Sequence, residues 1–257
     1  MTTRPAEVTP NLTNEQFLAL VKLMEGADTV ELKLTVPEGH QRSNARALDL
    51  DPLDAEIRQV FFFDTPDLAL SEAGVVVRAR RVAGKGDDSV VKLRPVVPHE
   101  LPDDLRRNPS FGVEVDAMPG GFVCSGSMKG KVTKPGVREH LEQGLPVRKL
   151  FTKDQRALYK AHAPEGIAMD DLSVLGPVFV LKLRFWPKEL DQKMVAELWL
   201  YPDDSRVIEL STKSVPSDAF DVAARTRAYL LERGLELDAE QAAKTKHALE
   251  FFTTELS

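Results

Sequence analysis

The chain has 257 residues, 42% of them apolar and 29% charged, a composition typical of a soluble globular protein with a sizeable core. Its net charge of −6 argues against a nucleic-acid-binding surface spread over the whole molecule, and its single cysteine, Cys124, excludes an internal disulfide framework. No apolar run approaches the roughly 20 residues of a membrane span, and no signal-peptide pattern is present, so we expect a cytoplasmic protein that does not contact membranes.

The first predicted element is a helix near residues 13–25, because Thr13 and Gln16 have capping-box spacing and apolar residues follow at helical intervals. Residues 1–12, which contain two prolines, are expected to form a disordered lead-in. The stretch TVELKLTV, residues 29–36, alternates polar and aliphatic side chains. This alternation predicts a strand with one face toward a core and one polar face.

The remaining chain predicts mainly strands, with helices at its end. Strand patterns occur at 56–66, 74–82, 89–97, 110–118, 147–161, 167–175, 178–186, 194–202 and 206–214. The segment 119–147, rich in Gly, Lys and Pro, is expected to be a flexible loop with a short helix at 137–145. C-terminal helices are predicted within about 217–253, at about 217–233 and 238–253, with Gly234 as a stop between them. We therefore expect residues 13–257 to form a single α+β domain built on a large sheet or barrel.

The polar faces of these strands carry an unusual set of charges. Eight basic and three acidic side chains share them, a local balance of +5 on a chain whose total is −6: Lys33, Arg78, Arg80, Lys92, Arg94, Lys182, Arg184 and Lys213, with Glu31, Glu197 and Glu209. The simplest interpretation is the solvent face of an antiparallel sheet, which normally alternates apolar and polar residues. Three strands, however, carry Arg or Lys at positions i and i+2. Like charges on neighbouring strands are destabilising, and a polyanionic ligand removes that cost.

The glutamates extend this hypothesis from an anion site to a metal site. Carboxylates inside a basic phosphate site would repel the ligand unless a cation lay between them. Mg²⁺ commonly binds through one or two carboxylates together with phosphate oxygens. Closing the sheet into a barrel would bring the polar faces together, with the aliphatic faces covered by helices outside.

Several segments, in order, make the sequence resemble the CYTH superfamily, the triphosphate tunnel metalloenzymes. They are TVELKL, FFFDTPDLALSEAGVVVRARR, DDSVVKLRP and RVIELSTK. The resemblance covers most of residues 29–213. It implies a closed antiparallel eight-stranded β-barrel, the triphosphate tunnel, with helices packed outside. It also implies action on a triphosphate group, with Mg²⁺ or Mn²⁺ as cofactor held by glutamates in the lumen.

The resemblance assigns roles by position. Lys33, Arg78, Arg80, Lys92, Arg94, Lys182, Arg184 and Lys213 would bind substrate phosphates. Glu31, Glu197 and Glu209 would hold the metal ion, and Glu31 and Glu209 would serve in catalysis. The expected partner is a small-molecule triphosphate or polyphosphate rather than a nucleic acid. The motifs do not select between inorganic and organic triphosphates, and no feature demands an adenylyl cyclase.

Two positions depart from the family pattern. The opening and closing Glu-x-Glu-x-Lys motifs carry Thr29 and Ser211 where a glutamate is expected. A hydroxyl is a poor substitute for a carboxylate at a hard cation. Two functions therefore stay open: a metal-dependent triphosphatase, and a non-catalytic phosphate-binding protein with a degraded metal site. An unrelated β-rich scaffold with wet polar faces is the third possibility.

Overall fold

The computed structural model describes residues 13–36, 39–119, 121–235 and 249. The strands are β1 (Thr29–Val36), β2 (Glu56–Asp64), β3 (Val75–Val82), β4 (Asp88–Leu93), β5 (Phe111–Met118), β6 (Gly121–Lys131), β7 (Ser173–Phe185), β8 (Met194–Leu200) and β9 (Arg206–Ser214). The helices are α1 (Asn14–Glu25), α2 (Gln41–Ala47), α3 (Ala69–Glu72), α4 (Asp103–Arg106), α5 (Val137–Glu142), α6 (Lys153–His162) and α7 (Ala219–Glu232). None of the described helices combines the length and apolar content needed to cross a membrane.

The strands close into one barrel, in the order β1-β5-β6-β4-β3-β2-β7-β8-β9. Neighbours are antiparallel except β1 and β5, which run parallel, and β9 closes the barrel onto β1. The α+β class and the closed barrel with helices outside are confirmed. The prediction of eight strands, all antiparallel, was wrong, because the barrel has nine strands and one parallel pair.

The additional strand is β6, which lies in the segment predicted to be a flexible loop. The glycines of β6 allow neighbouring side chains to pack directly against its backbone, rather than making the segment flexible. A Cβ atom at Gly126 would come within 2.5 Å of the Phe111 ring on β5, and one at Gly130 within 2.5 Å of the Gln155 side chain. Glycine lowers strand propensity, but here it admits neighbouring groups that a side chain would exclude.

The strand predicted at 147–161 was also wrong, because α6 occupies its second half. Thr152 caps this helix. Its hydroxyl accepts a hydrogen bond from the Gln155 amide at 3.3 Å, and the Gln155 side chain accepts one from the Thr152 amide at 2.8 Å. The Thr-x-x-Gln spacing that announces such a capping box is visible in the sequence. The same spacing correctly predicted α1, where Thr13 and Gln16 form the reciprocal pair.

The main core lies between the outer faces of the strands and helices α1, α5 and α6. Its strand members alternate with the lumen residues along the chain: Val30, Val77, Val91, Val113 and Val115. Leu20 and Met24 of α1 and Leu158 of α6 pack in the same cluster. Burying aliphatic side chains on the outside of the barrel leaves the alternate polar positions facing inward.

The ends of the chain fall partly outside the described residues. The lead-in predicted at 1–12 lies there completely. Helix α7 matches the first predicted C-terminal helix, whereas the second, at 238–253, lies outside the described residues except for Leu249.

Candidate functional site

The polar strand faces surround a cavity of about 720 Å³ inside the barrel. Thr29, Glu31, Lys33 and Thr35 of β1 all line it, so the polar face of the TVELKLTV strand is a lumen wall. Ten of the site residues predicted from the sequence line the same cavity: Glu31, Lys33, Arg78, Arg80, Lys92, Arg94, Lys182, Glu197, Glu209 and Lys213. Every second residue of each strand faces the lumen, so the closed barrel brings together groups that are far apart in the sequence.

Arg184 is the exception among the predicted residues. It does not line the cavity, and its guanidinium Nη1 lies 3.4 Å from the carboxylate of Glu56, near the end of β7. The structure places Arg184 at a barrel mouth. Arg58, which the sequence interpretation missed, lines the cavity instead and contacts the same Glu56 carboxylate.

Strand β5 adds two carboxylates that the sequence interpretation also missed, Glu114 and Asp116. The parallel pairing sets Thr29 opposite Glu114 and Glu31 opposite Asp116. Oxygen atoms from Glu31, Glu114 and Asp116 all lie within 4.8 Å of one another. Residues 113–116, Val-Glu-Val-Asp, alternate apolar and acidic side chains in the way that predicted the lumen faces of the other strands. This alternation does not show that β5 lies beside β1.

Asp116 is the most unusual member of this group. Its side chain has no exposed surface, and neither carboxylate oxygen accepts a hydrogen bond of good geometry within the described part of the chain. Three cations approach instead: Lys33 Nζ at 2.8 Å, Arg94 Nη1 at 3.4 Å and Lys92 Nζ at 3.6 Å. Burial opposes ionisation, but Lys33 and Lys92 outweigh it and lower the pKa of Asp116 to about 2. Asp116 is therefore an ionised, fully buried carboxylate that three cations surround.

The lysines beside the carboxylates are held cationic by them. Burial alone would lower the pKa of Lys33, but Glu31 and Asp116 raise it above its ordinary value. Lys213 lies 3.7 Å from Glu31 and also contacts Glu114, and these two acids likewise raise its pKa. Lysines and acids thus alternate in one network on the β1–β5–β9 wall.

The opposite wall carries cations with fewer partners. Among the described residues, Arg78 forms no ion pair and no hydrogen bond, although Arg80, two positions along β3, binds Asp88 through two nitrogen atoms at 2.8 and 2.9 Å. Burial and Arg80 lower the pKa of Arg78 to about 9, so it stays cationic at neutral pH. Burial likewise lowers the pKa of Lys92, to about 8. Two desolvated cations face the lumen, an arrangement that an anionic ligand would stabilise.

Glu197 and Glu209 form a second acidic position, directly opposite each other on β8 and β9. Glu197 accepts hydrogen bonds from Lys182 at 2.7 Å and from Trp199 Nε1 at 3.3 Å. They do not belong to the close carboxylate group of Glu31, Glu114 and Asp116. Their role as metal ligands stays a prediction.

Thr29 and Ser211, which replace the glutamates expected from the family pattern, have different neighbours. Thr29 donates a hydrogen bond to Glu114, with 3.1 Å between Oγ1 and Oε2. Ser211 is buried and lies across from Lys33 in the register of β9 and β1. Position 29 therefore lies next to a carboxylate from another strand, and position 211 lies next to a cation.

Part of the lumen wall, around Trp199, is apolar. Trp199 is buried in a cluster with side chains from β2, β7 and the C-terminal segment: Val60, Phe62, Leu175, Val178, Val180, Tyr201 and Leu249. Its aromatic ring thus serves packing. Lys92 lies opposite Val76, which packs against this cluster, whereas Arg58 and Lys182 lie toward the end of the barrel where β2 begins and β7 ends.

No family model matches the chain, and no curated protein matches its sequence. Solved structures match its fold, among them the following two. One is the candidate adenylyl cyclase HpAC1 from Hippeastrum, which has a dominant triphosphatase activity; it is 16% identical, with a TM-score of 0.63 over 86% of this chain and 95% of that one. The other is a candidate adenylate cyclase from Bacillus halodurans, 10% identical, with a TM-score of 0.58 over 85% of this chain and 98% of that one. The likeness concerns the fold, and it confirms the barrel that the resemblance to the CYTH superfamily implied.

Proposed function

We propose that this protein binds a triphosphate group in the barrel lumen and hydrolyses its terminal phosphoanhydride bond with the help of Mg²⁺ or Mn²⁺. One observation carries the proposal: Glu31 and Glu114 line a predominantly basic cavity, and the fully buried Asp116 lies beside them, with oxygen atoms of the three carboxylates within 4.8 Å of one another. A basic lumen alone would suit any polyanion. The convergent carboxylates add a place for the cation that triphosphate chemistry requires.

The anion side of the proposal rests on Arg78, Lys92 and their neighbours. Arg78 has no ion partner among the described residues, and Lys92 reaches Asp116 only at 3.6 Å. Guanidinium groups match phosphate oxygens through paired N–H donors, and lysines act as point charges. These side chains would hold the non-bridging oxygens and stabilise the charge that develops on them.

On the metal side, Glu31, Glu114 and Asp116 have the chemistry of a hard-cation site, since all their donors are carboxylate oxygens. They would hold Mg²⁺ or Mn²⁺, with Glu197 and Glu209 as the further ligands predicted from the sequence. A bound divalent cation supplies charge neutralisation and polarisation of phosphate oxygens. Glu31 or Glu209 would accept the proton of the attacking water, because both carboxylates line the cavity.

A second candidate function is phosphate binding without catalysis. The absence of carboxylates at Thr29 and Ser211 favours it, as does the contact of Lys33 and Lys213 with the acids that would bind metal. In this alternative the lysines take the place of the cation, and the ligand is held without being cleaved.

Incubation with tripolyphosphate and Mg²⁺ or Mn²⁺ distinguishes the two functions when phosphate release and calorimetric binding are measured on the same preparation. We expect metal-dependent release that Arg78→Met abolishes. Arg46→Met is the matched control, since Arg46 is exposed on α2 outside the barrel and should leave release unchanged. Binding without release would support the second function, and absence of both signals would contradict both.

A further inference from the structure

Lys213 lies between two of the three carboxylates of the candidate metal site. Its ammonium nitrogen is 3.7 Å from Glu31 Oε2 and also contacts Glu114 Oε2. Oxygen atoms of Glu31 and Glu114 lie within 4.8 Å of each other, so a cation that both residues hold must lie between them. Lys213 therefore fills, with its own positive charge, the space that a divalent cation bound by these two residues would need.

The short side chain of Thr29 allows Lys213 to reach Glu114. Lys213 is opposite Glu31 in the register of β9 and β1, whereas Glu114 belongs to β5, on the other side of β1. The contact thus bridges two strand spacings, about 10 Å. Thr29 is the register partner of Glu114 and donates a hydrogen bond to the same oxygen, Oε2, at 3.1 Å. A glutamate at position 29 would extend a longer, charged side chain into this gap, so the departure from the family pattern is what admits the lysine.

Lys33 belongs to the same network but is held more firmly than Lys213. Its ammonium nitrogen lies 2.8 Å from Asp116 and 3.2 Å from Glu31, and its side chain is only 15% exposed. The side chain of Lys213 is 48% exposed, near the end of β9. A half-exposed lysine can turn away from its partners without being desolvated, whereas a buried one cannot. Of the two lysines, Lys213 is therefore the one that can leave the carboxylates.

A bound anion would give Lys213 another partner. Lys213 lines the cavity together with Arg78 and Lys92. A triphosphate held by those two cations brings phosphate oxygens into the same cavity, and an ammonium group binds phosphate as a point charge. A divalent cation alone supplies no such partner, and it would meet the positive charge of Lys213 at close range, where like charges repel.

We propose that Lys213 is a displaceable counter-ion of the metal site and makes metal binding conditional on a bound triphosphate. The proposal rests on the proposed function, because it takes Glu31 and Glu114 as metal ligands. In the anion-free protein the ammonium group of Lys213 neutralises these two carboxylates. When a triphosphate binds, Lys213 turns to its phosphates and leaves Glu31 and Glu114 free to hold the cation. Anion and metal therefore bind with positive coupling, in which each raises the affinity for the other.

The competing interpretation of Lys213 is a permanent ion pair that only stabilises the β5–β1–β9 wall. Ion pairs of half-exposed side chains contribute little to stability, because solvent screens them. A purely structural lysine at this position would therefore gain the protein little. The two interpretations also differ in a measurable way, since a permanent structural pair gives no reason for metal affinity to rise when Lys213 is removed.

The first test is the affinity of the anion-free protein for Mn²⁺, measured by calorimetry in a buffer without phosphate. Lys213→Met removes the ammonium group with little change in side-chain length, and it should bind Mn²⁺ at least about tenfold more tightly than the wild-type protein. Lys213→Gln should do the same and serves if the methionine variant does not fold. Lys213→Arg keeps the charge and should bind no more tightly than the wild type. Lys160→Met is the matched control, since it removes a positive charge from the exposed side of α6 and should leave the affinity unchanged.

The second test measures the coupling itself. The probe is a triphosphate analogue with methylene bridges, which cannot be hydrolysed, and the binding of Mn²⁺ to the analogue alone is subtracted. The analogue should strengthen Mn²⁺ binding to the wild-type protein at least about tenfold more than it strengthens binding to Lys213→Met.

Three results would overturn the proposal: equal Mn²⁺ affinity of the wild-type protein and Lys213→Met, an equal gain in affinity in Lys160→Met, or the same coupling to the analogue with and without Lys213. Each of these leaves the proposed function intact, because metal and triphosphate still bind. Absence of Mn²⁺ binding in every variant, with or without the analogue, would instead contradict the metal side of the proposed function.

Discussion

The hydroxyl of Thr29 donates a hydrogen bond to the carboxylate of Glu114, with 3.1 Å between the two oxygen atoms. The bond joins the parallel strands β1 and β5, where these residues are register partners. In the sequence, Thr29 occupies a position where the family pattern expects a metal-binding glutamate. In the barrel it orients a carboxylate that comes from another strand, so the acidic side of the lumen has more carboxylates than the family motifs alone suggest.

Thr29→Glu should make the barrel dependent on divalent cations. The new carboxylate would face Glu114, and like charges on adjacent strands cost about 1 kcal/mol or less. We expect a lower melting temperature without metal and a larger upward shift with Mn²⁺ than in the wild-type protein. Thr29→Gln is the neutral control of the same size. Equal Mn²⁺ shifts in the Glu and Gln variants, with or without Ser211→Glu added, would show that position 29 is not at the metal site.

Asp116→Asn should weaken the fold while strengthening anion binding. The change removes the negative charge among Lys33, Lys92 and Arg94, and leaving buried charges unpaired costs about 3–5 kcal/mol. Urea unfolding would measure the loss. Tripolyphosphate affinity without metal should rise, because the lumen gains one net positive charge.

Asp221→Asn provides the control for the Asp116 variant. It removes an exposed carboxylate paired with Arg225 on the same helix, and such pairs contribute less than about 1 kcal/mol. A similar stability loss in both variants would contradict the structural role assigned to Asp116.

Arg78→Met should separate binding from stability. Removing a buried cation without an ion partner deletes a contact to phosphate but relieves a desolvation cost. We expect tripolyphosphate affinity to fall about tenfold or more, as charge-assisted hydrogen bonds are lost, while the midpoint of urea unfolding stays the same or rises. If stability falls as much as binding does, Arg78 has a structural partner and is not primarily an anion receptor.

Lys92 should give metal-free binding a pH dependence. Burial, reinforced by Lys33 and Arg94 and opposed by Asp116, lowers its pKa to about 8 from an ordinary value of 10.5. Lys92 is cationic below pH 8, so tripolyphosphate affinity should decrease as the pH rises from 7 to 9. Lys92→Arg, which stays charged over this range, should flatten the profile.

The stability of the ligand-free protein should change in the opposite direction. Since the pKa of Lys92 is lower in the folded state, the unfolded state binds more protons between pH 8 and 10.5. The contribution of Lys92 to the free energy of unfolding therefore rises with pH across that window. Urea titrations of the wild-type and Lys92→Arg proteins at pH 8 and 10 would measure this contribution. A contribution that falls with pH would contradict the lowered pKa.

Many of the side chains that line the lumen could be predicted from the alternation of polar and apolar residues along each strand. Alternation within β1, β3, β4, β8 and β9 is a local property of each strand, and it placed residues such as Lys33, Arg78 and Glu197 on inward faces. The same alternation is present at Glu114 and Asp116 of β5. For α6, the Thr152–Gln155 capping pair is likewise present in the sequence, within the segment predicted to be a strand.

The sequence by itself determined which side of each strand is polar and which charges that side carries. Only the tertiary structure decided which of those charges meet. Pairing β5 in parallel with β1 brings Glu114 and Asp116 to Glu31, and the register of β2 against β7 places Arg184 beside Glu56 at the mouth. The physical reason is that side-chain direction follows from backbone geometry within a few residues, whereas strand neighbours are chosen by hydrogen bonding and packing across the whole chain.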